Sequence, residues 1–363
     1  MYSLLRPLLF HLDAETAHAL TLYALRFAGW LSPLNRILTR SFEASAKPVT
    51  AFGLTFKNPV GLAAGYDKDG LSLRGLAALG FGHIEIGTVT PLPQAGNPRP
   101  RVFRLVEDEA VINRMGFPSR GTEFVQRRLN PKSIESLFER VTGLSVRGAS
   151  AQGRSQRPKR DFILGVNLGK NKATPNEEAV FDYLSLLQNF AAAADYLTIN
   201  VSSPNTEGLR RLQGREALNG LLTQLDLQRK LEEKKWEKFL PLLVKLSPDL
   251  TDEELDDALE VILRANMDGV IATNTTLGRE GVRSTRKRET GGLSGGPLRV
   301  QSEAMLGKIV KRLSGRIPVV SVGGIMSPED AKRRLDVGAA LIQVYTGLVY
   351  RGPGLVKEIV RVL

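Results

Sequence analysis

The sequence predicts an α/β chain built as one (β/α)8 TIM barrel with an N-terminal two-helix extension. Three observations carry that expectation: eight short apolar runs alternate with helical patterns, each run ends in polar or small residues, and the first forty residues are separately helical. The length agrees, since 363 residues with 42% hydrophobic content can bury one large core.

The extension, residues 1–40, reads as two helices. The first covers residues 2–10, and the second is opened by Asp13 as N-cap and runs to Trp30, ahead of Ser32-Pro33. Leu20, Tyr23, Ala24, Phe27, Ala28 and Leu31 share one face, Leu22 and Leu25 widen it, and Arg26 is the only charge among them. His11, Asp13, Glu15 and His18 keep the apolar stretch short of the ~18 residues that a membrane span needs. No small-residue cleavage site follows, so a secretory signal is not expected either. On its own residues the segment leaves two readings open: helices lying in a membrane interface, or an extension packed on the main domain.

The main domain, residues 41–363, places its apolar runs at 59–63, 83–87, 162–166, 196–199, 242–244, 269–272, 319–322 and 341–344. Helical patterns lie at 69–79, 181–194, 218–234, 252–266, 301–313 and 328–337. The last is announced by Ser327-Pro328-Glu329-Asp330, a polar N-cap followed by proline and acids in the first turn. The runs are followed in order by Ala64-Gly65, Thr88, Asn167, Asn200, Lys245, Thr273-Asn274, Gly323-Gly324 and Tyr345-Thr346-Gly347. In a barrel these positions converge on the C-terminal mouth, where active sites of this fold lie.

Composition removes several chemistries. With no cysteine there are no disulfides, thiolate zinc sites, iron–sulfur clusters or cysteine nucleophiles, and three histidines make a histidine metal site improbable, so no metal is expected. The net charge of +12 could suggest nucleic acid. However, residues 127–160 hold nine Lys or Arg against Glu135 and Glu139, so more than half of the excess is confined to one segment. Its Gly, Ser, Gln and Arg content between Gly143 and Arg160 reads as a basic, mobile surface insertion, and no nucleic-acid partner is expected.

At the expected mouth, Gly323-Gly324 and Tyr345-Thr346-Gly347 suit a phosphate held by backbone amides. No G-x-G-x-x-G follows an early strand, so a nicotinamide dinucleotide is not indicated. Lys245, leaving an apolar strand, needs an anionic partner such as the N1 and C2-carbonyl region of a reduced flavin. Asn113, Asn200, Asn205 and Asn274 offer paired donors and acceptors to a small heterocycle bearing carbonyl and N–H groups.

The motifs G-L-A-A-G-Y-D-K-D-G, E-I-G-T-V-T-P, N-R-M-G-F, N-V-S-S-P-N-T, V-K-L-S-P-D-L, I-A-T-N-T-T, T-G-G-L-S-G and V-G-G-I, in this order, closely resemble dihydroorotate dehydrogenases of class 2, the quinone-linked, membrane-associated type. The resemblance implies an FMN-containing barrel that oxidises (S)-dihydroorotate to orotate in pyrimidine biosynthesis. It also implies a membrane quinone as final acceptor, reached through a tunnel under the N-terminal helices. With no transit peptide in the sequence, it favours a peripheral place on the cytoplasmic face of a bacterial inner membrane.

Residue by residue, the resemblance makes Ser203 the catalytic base, where class 1 relatives use cysteine, helped by a relay through Thr206 or water. It assigns Lys68, Asn113, Asn200, Asn205, Asn274 and Thr275 to the substrate, with Arg114, Met115, Gly116 and Phe117 as one wall of the pocket. For FMN it points to Ala64, Gly65, Tyr66, Asp67, Lys68 and Thr88. It adds Asn167, Asn200, Lys245 and Thr273, then Gly295, Gly324, Tyr345 and Thr346. Two departures stand out: the insertion near 130–160, and Tyr66 where leucine or phenylalanine is expected.

Competing readings are another FMN barrel, such as a tRNA dihydrouridine synthase or a class 1 enzyme, and a non-catalytic basic binding protein. The missing cysteine argues against the first two. The third leaves Lys245 and the polar strand ends unexplained.

Overall fold

The computed structural model describes residues 2–129 and 160–363. Three helices open the chain: α1 (Tyr2–His11), α2 (Ala14–Trp30) and α3 (Ser32–Phe42). Asp13 caps α2 as expected, its Oδ1 accepting the backbone N–H groups of Glu15 and Thr16 at 3.0 Å each. The third helix is a difference from the two-helix expectation. Ser32-Pro33, read as a stop, instead starts α3, because proline lacks only an N–H that the first turn leaves unpaired anyway.

Thirteen strands are found among the described residues. A hairpin of β1 (Val49–Ala51) and β2 (Leu54–Phe56) precedes the barrel strands β3 (Val60–Leu62) and β4 (His83–Val89). Next come β5 (Val102–Leu105) and β6 (Ala110–Asn113), then β7 (Ile163–Leu168), β8 (Tyr196–Asn200), β9 (Leu242–Leu246) and β10 (Gly269–Ala272). The series ends with β11 (Gly292–Gly295), β12 (Val319–Val322) and β13 (Leu341–Val344).

Eight of these close into a parallel barrel in chain order, β3, β4, β7, β8, β9, β10, β12 and β13, with Ile342 of β13 opposite Val60 of β3 at the seam. Each of the eight predicted runs overlaps one of these strands, and β4, β7, β8 and β9 extend one or two residues beyond theirs. They read as near-continuous apolar segments because such strands are covered by helices outside and packed inside. The hairpin plugs the N-terminal end, where the Phe56 ring meets His83 edge-on at 5.3 Å. At the opposite end, β5, β6 and β11 form a separate antiparallel sheet that brings Asn113 and Gly295 to the mouth.

The N-terminal helices join the barrel through α4 (Leu73–Ala77). A Cβ on Gly29 would lie 2.5 Å from the Gly75 nitrogen, and one on Gly75 would lie 2.1 Å from the Leu25 carbonyl oxygen. Two glycines therefore allow α2 and α4 to approach backbone to backbone. The insertion expected near 130–160 falls, apart from Arg160, outside the described residues.

Candidate active site

The strand ends do converge. A cavity at the barrel mouth is lined by Ala64, Gly65, Lys68, Thr88, Asn200 and Ser203 on one side. Lys245, Thr273, Asn274, Thr275, Gly324, Tyr345 and Thr346 line the other, and Asn113, Met115, Gly116, Phe117, Asn205 and Gly295 come from the outer loops and sheet.

Beneath it lies a buried hydrogen-bond network organised by Glu85, a strand residue with no role among the sequence expectations. Glu85 accepts from Asn167 Nδ2 (2.9 Å), Tyr196 Oη (3.0 Å), Thr198 Oγ1 (3.2 Å) and Gln343 Nε2 (2.9 Å), four side chains from three other strands converging on one carboxyl group. The pairing register of β4 shifts between Gly87 and Val89, an irregularity that re-aims Thr88. Its hydroxyl donates to Asn167 Oδ1 at 2.6 Å and accepts from Asn200 Nδ2 at 3.0 Å. Asn274 Nδ2 reaches the Ser202 hydroxyl at 3.0 Å and Asn200 Oδ1 at 3.3 Å. The Glu85 carboxylate accepts from Asn167 Nδ2 and so fixes that amide, whose Oδ1 in turn accepts from the Thr88 hydroxyl and Asn200 Nδ2.

Lys245 lies above Glu85. Burial pushes its ammonium below the ordinary lysine range, and Glu85 partly opposes that push. Its Nζ makes no hydrogen bond among the described residues, and it lines the cavity, so its donors are available to a ligand. The glycines across the mouth carry a matching constraint. Gly324 has φ +71°, and a Cβ there would meet the Arg299 nitrogen at 2.5 Å. The helix that begins at Thr346 presents its first backbone N–H groups, which have no intrahelical partners, at the cavity wall.

Ser203 is buried, with only the Asn205 N–H donating to its Oγ at 3.3 Å. No histidine or acid stands beside it among its hydrogen-bond partners. Thr206 Oγ1, three residues on, is buried without a partner. Asn205 Nδ2 donates to Asn113 Oδ1 at 3.1 Å, tying the serine loop to β6 across the cavity.

Four residues named from the sequence do not line this cavity. Asn167 sits behind Thr88 and Asn200 as their support. Asp67 accepts the backbone N–H groups of Leu71 (2.8 Å) and Ser72 (2.7 Å), which occupies its carboxylate in holding the loop. Arg114 pairs with Glu289 at 2.6 Å and stacks on Phe103 at 4.5 Å, facing away from the mouth. Tyr66 turns toward the N-terminal helices.

There it borders a second, largely apolar cavity between α1, α2, α3 and the barrel, with Phe10, Ala17, Leu25, Leu38, Phe42 and Val349 among its walls. Lys68, Met115 and Tyr345 line both cavities. Lys68 Nζ donates to the Gly65 carbonyl at 2.6 Å. Burial lowers its pKa to about 8 although Asp69 and Glu15 oppose the shift. His18 is lowered to about 4, first by burial and then by the Lys68 charge, and so is neutral at pH 7. Since a carbonyl can only accept, its Nε2 must carry the hydrogen that reaches the Tyr66 oxygen at 2.8 Å. Glu15 anchors α2 to the barrel side through Arg99 (3.0 Å) and Arg101 (2.7 Å).

A mouth cavity with polar convergent groups, joined by shared residues to a second, largely apolar cavity, is the arrangement of an enzyme barrel with its site at the C-terminal mouth. Comparison with known proteins narrows the class. The family profile described as dihydroorotate dehydrogenase matches residues 47–363. The chain is 45% identical to the dihydroorotate dehydrogenase (quinone) of Idiomarina loihiensis over 363 residues, covering 99% of both chains. It is 47% identical to the protein of the same description from Chromobacterium violaceum, covering 99% of this chain and 97% of that one. Among solved structures it resembles that of DHODH in complex with ferulenol from Eimeria tenella, with a TM-score of 0.81 and 38% identity over 96% of this chain and 90% of the other. The chain belongs to the dihydroorotate dehydrogenase family and is an oxidoreductase.

Proposed function

We propose that the protein oxidises (S)-dihydroorotate to orotate in pyrimidine biosynthesis, with FMN in the barrel mouth and a membrane quinone as final electron acceptor. The single observation that carries the reading is the junction of the two cavities at Lys68, Met115 and Tyr345. It lets a polar substrate and a lipophilic one approach one redox centre from different sides. FMN, when bound, supplies an isoalloxazine ring able to take up a hydride and to release the electrons to a second substrate.

The remaining steps belong to the chain's own residues. Lys245 offers an unspent ammonium to the electron-rich side of the flavin, and Gly324, Thr346 and Gly295 give its phosphate close backbone approach. Thr88 and Asn200 form the polar floor, held from behind by Asn167. Lys68 counters the substrate carboxylate, while Asn113, Asn200, Asn205 and Asn274 orient the ring by complementary donors and acceptors. Ser203 removes the C5 proton, and Thr206 Oγ1, buried and unpaired, is a relay partner through which that proton leaves. Met115, Gly116 and Phe117 close the wall that keeps water out.

The N-terminal helices, residues 1–40 together with the end of α3, form the quinone entrance and the membrane contact, and the barrel, residues 41–363, is the catalytic domain. The same reading puts the protein at a membrane surface as a peripheral enzyme, on the cytoplasmic face of a bacterial inner membrane, and similarity to bacterial proteins described as quinone-dependent supports it. Among the described residues no helix is long and apolar enough to cross a membrane.

The test is the visible spectrum of the purified protein under anaerobic conditions, before and after dihydroorotate. A flavin spectrum that bleaches is expected. In Ser203→Ala the flavin remains bound and bleaches about 10²- to 10⁴-fold more slowly, the usual contribution of a positioned base. A colourless protein that cannot be reconstituted with FMN, or an unchanged bleaching rate in the variant, contradicts the respective part.

A further inference from the structure

Tyr66 is where this chain departs from the leucine or phenylalanine expected at its position, and the structure gives its hydroxyl an unusual setting. The residue is 6% exposed. Its ring is held edge-on between His18 (4.8 Å, 83°) and Tyr345 (5.5 Å, 71°), and its carbonyl is bound by His18 Nε2. Clamped in this way, the ring has little freedom to swing its hydroxyl to another partner.

The other hydroxyls that line the apolar cavity are all engaged. Tyr2 donates to the Val349 carbonyl, Thr21 to the Ala17 carbonyl, Tyr345 to the Gly65 carbonyl at 3.3 Å, and Ser294 bonds Thr346. The Tyr66 hydroxyl has no hydrogen-bond partner among the described residues. The hydroxyl borders the apolar cavity and has no protein partner there, a donor that phenylalanine in the same place would not supply. A lipophilic ligand carrying a carbonyl would satisfy it.

We infer that the Tyr66 hydroxyl donates a hydrogen bond to a ring carbonyl of the quinone, fixing the head group in the apolar cavity beside Lys68 and Tyr345. Burial holds the Tyr66 phenol well above its ordinary pKa, and the neighbouring phenols of Tyr345 and Tyr2 add to the shift, so it remains a donor throughout the working pH range. The inference rests on the quinone reading above and adds a specificity-determining residue of this chain's own.

The experiment compares Tyr66→Phe with the unaltered holoenzyme, using dihydroorotate and a decyl-substituted dimethoxy-methyl-1,4-benzoquinone. Phenylalanine keeps the ring and its packing and removes one donor. The expected result is a rise of about five- to tenfold in KM for the quinone, the worth of one ordinary hydrogen bond, with kcat at saturating quinone within about twofold. Anaerobic bleaching of the flavin by dihydroorotate is followed in the same preparations.

Equal KM values in the two proteins overturn the inference. A parallel fall in the bleaching rate also overturns it, because the substitution then acts on the mouth cavity. If the unaltered protein bleaches with dihydroorotate yet turns over no quinone, the quinone reading itself fails, and this inference with it.

Discussion

If Lys68 counters the substrate carboxylate as proposed, its protonation decides substrate binding. Burial depresses its pKa to about 8, so it is charged below that pH and neutral above it. The KM for dihydroorotate should therefore rise as pH climbs through about 8, whereas an ordinary lysine would hold its charge to about 10. A KM that stays flat to pH 9.5 in steady-state assays contradicts this. Glu85 makes a second residue-scale prediction. Glu85→Gln replaces an acceptor with an amide whose NH2 must face donors from Asn167, Tyr196, Thr198 or Gln343. It also removes the charge that opposes the desolvation of Lys245. A loss of about 2–4 kcal/mol in urea denaturation of the holoenzyme is expected, and a variant as stable as the parent would contradict the network's role. Lys245 was legible in the sequence as a cation inside an apolar strand. Glu85, an anion in the same situation, carried the same signal, yet its partners come from three other strands and only the closed barrel brings them together. Arg114 misled for the opposite reason: its motif neighbours line the cavity, but the pleat of the chain after β6 sends its side chain outward to Glu289.

At the scale of elements, the barrel strands were readable because parallel strands covered on both sides are short, apolar and β-branched, and because their ends share one chemistry. Element ends were less readable. Ser32-Pro33 satisfies the sequence rule for leaving one helix and the rule for entering another, and the structure uses both. The antiparallel sheet of β5, β6 and β11 was missed altogether, since its third strand lies almost 180 residues from the second and its pairing is set by tertiary contact. The close packing of α2 on α4 was equally invisible, and it yields a prediction about the apolar cavity. In Gly75→Ala the new methyl would stand 2.1 Å from the Leu25 carbonyl oxygen, which backbone cannot yield without moving. Helix α2, which carries Ala17, His18, Thr21 and Leu25 of the cavity wall, should shift. Quinone turnover should fall several-fold while bleaching by dihydroorotate, which depends on the mouth, changes little, with about 1–3 kcal/mol of stability lost. Equal losses in both half-reactions would mean that α4 serves the mouth directly.

For the whole molecule, the distribution of exposed apolar surface is uneven in a way that bears on where the protein works. Of twenty large apolar side chains that stand exposed among the described residues, ten lie on α1 to α3 and the turns between them: Leu4, Leu5, Leu8, Leu12, Leu20, Tyr23, Phe27, Trp30, Leu34 and Ile37. Scattered singly such residues need no explanation, but half of them on one small helical unit form a patch of the kind that marks an interaction surface. Arg6, Arg26, Arg36 and Arg40 lie on the same unit, so its surface combines greasy side chains with cations and suits the boundary of an anionic bilayer. The apolar cavity lies under this unit, and a ligand that partitions into lipid would reach it without crossing water. Binding to vesicles that contain phosphatidylglycerol should therefore be measurable by co-sedimentation, and it should weaken both with added salt and with replacement of exposed apolar residues. Leu8→Glu together with Phe27→Glu removes two such side chains and adds two anions outside the barrel. The double variant should sediment far less with the vesicles and lose turnover with a quinone embedded in them. Bleaching by dihydroorotate should persist, because the mouth is untouched. If the variant binds vesicles as the parent does, the helices are not the membrane contact, and the apolar cavity must be filled by a route other than the bilayer.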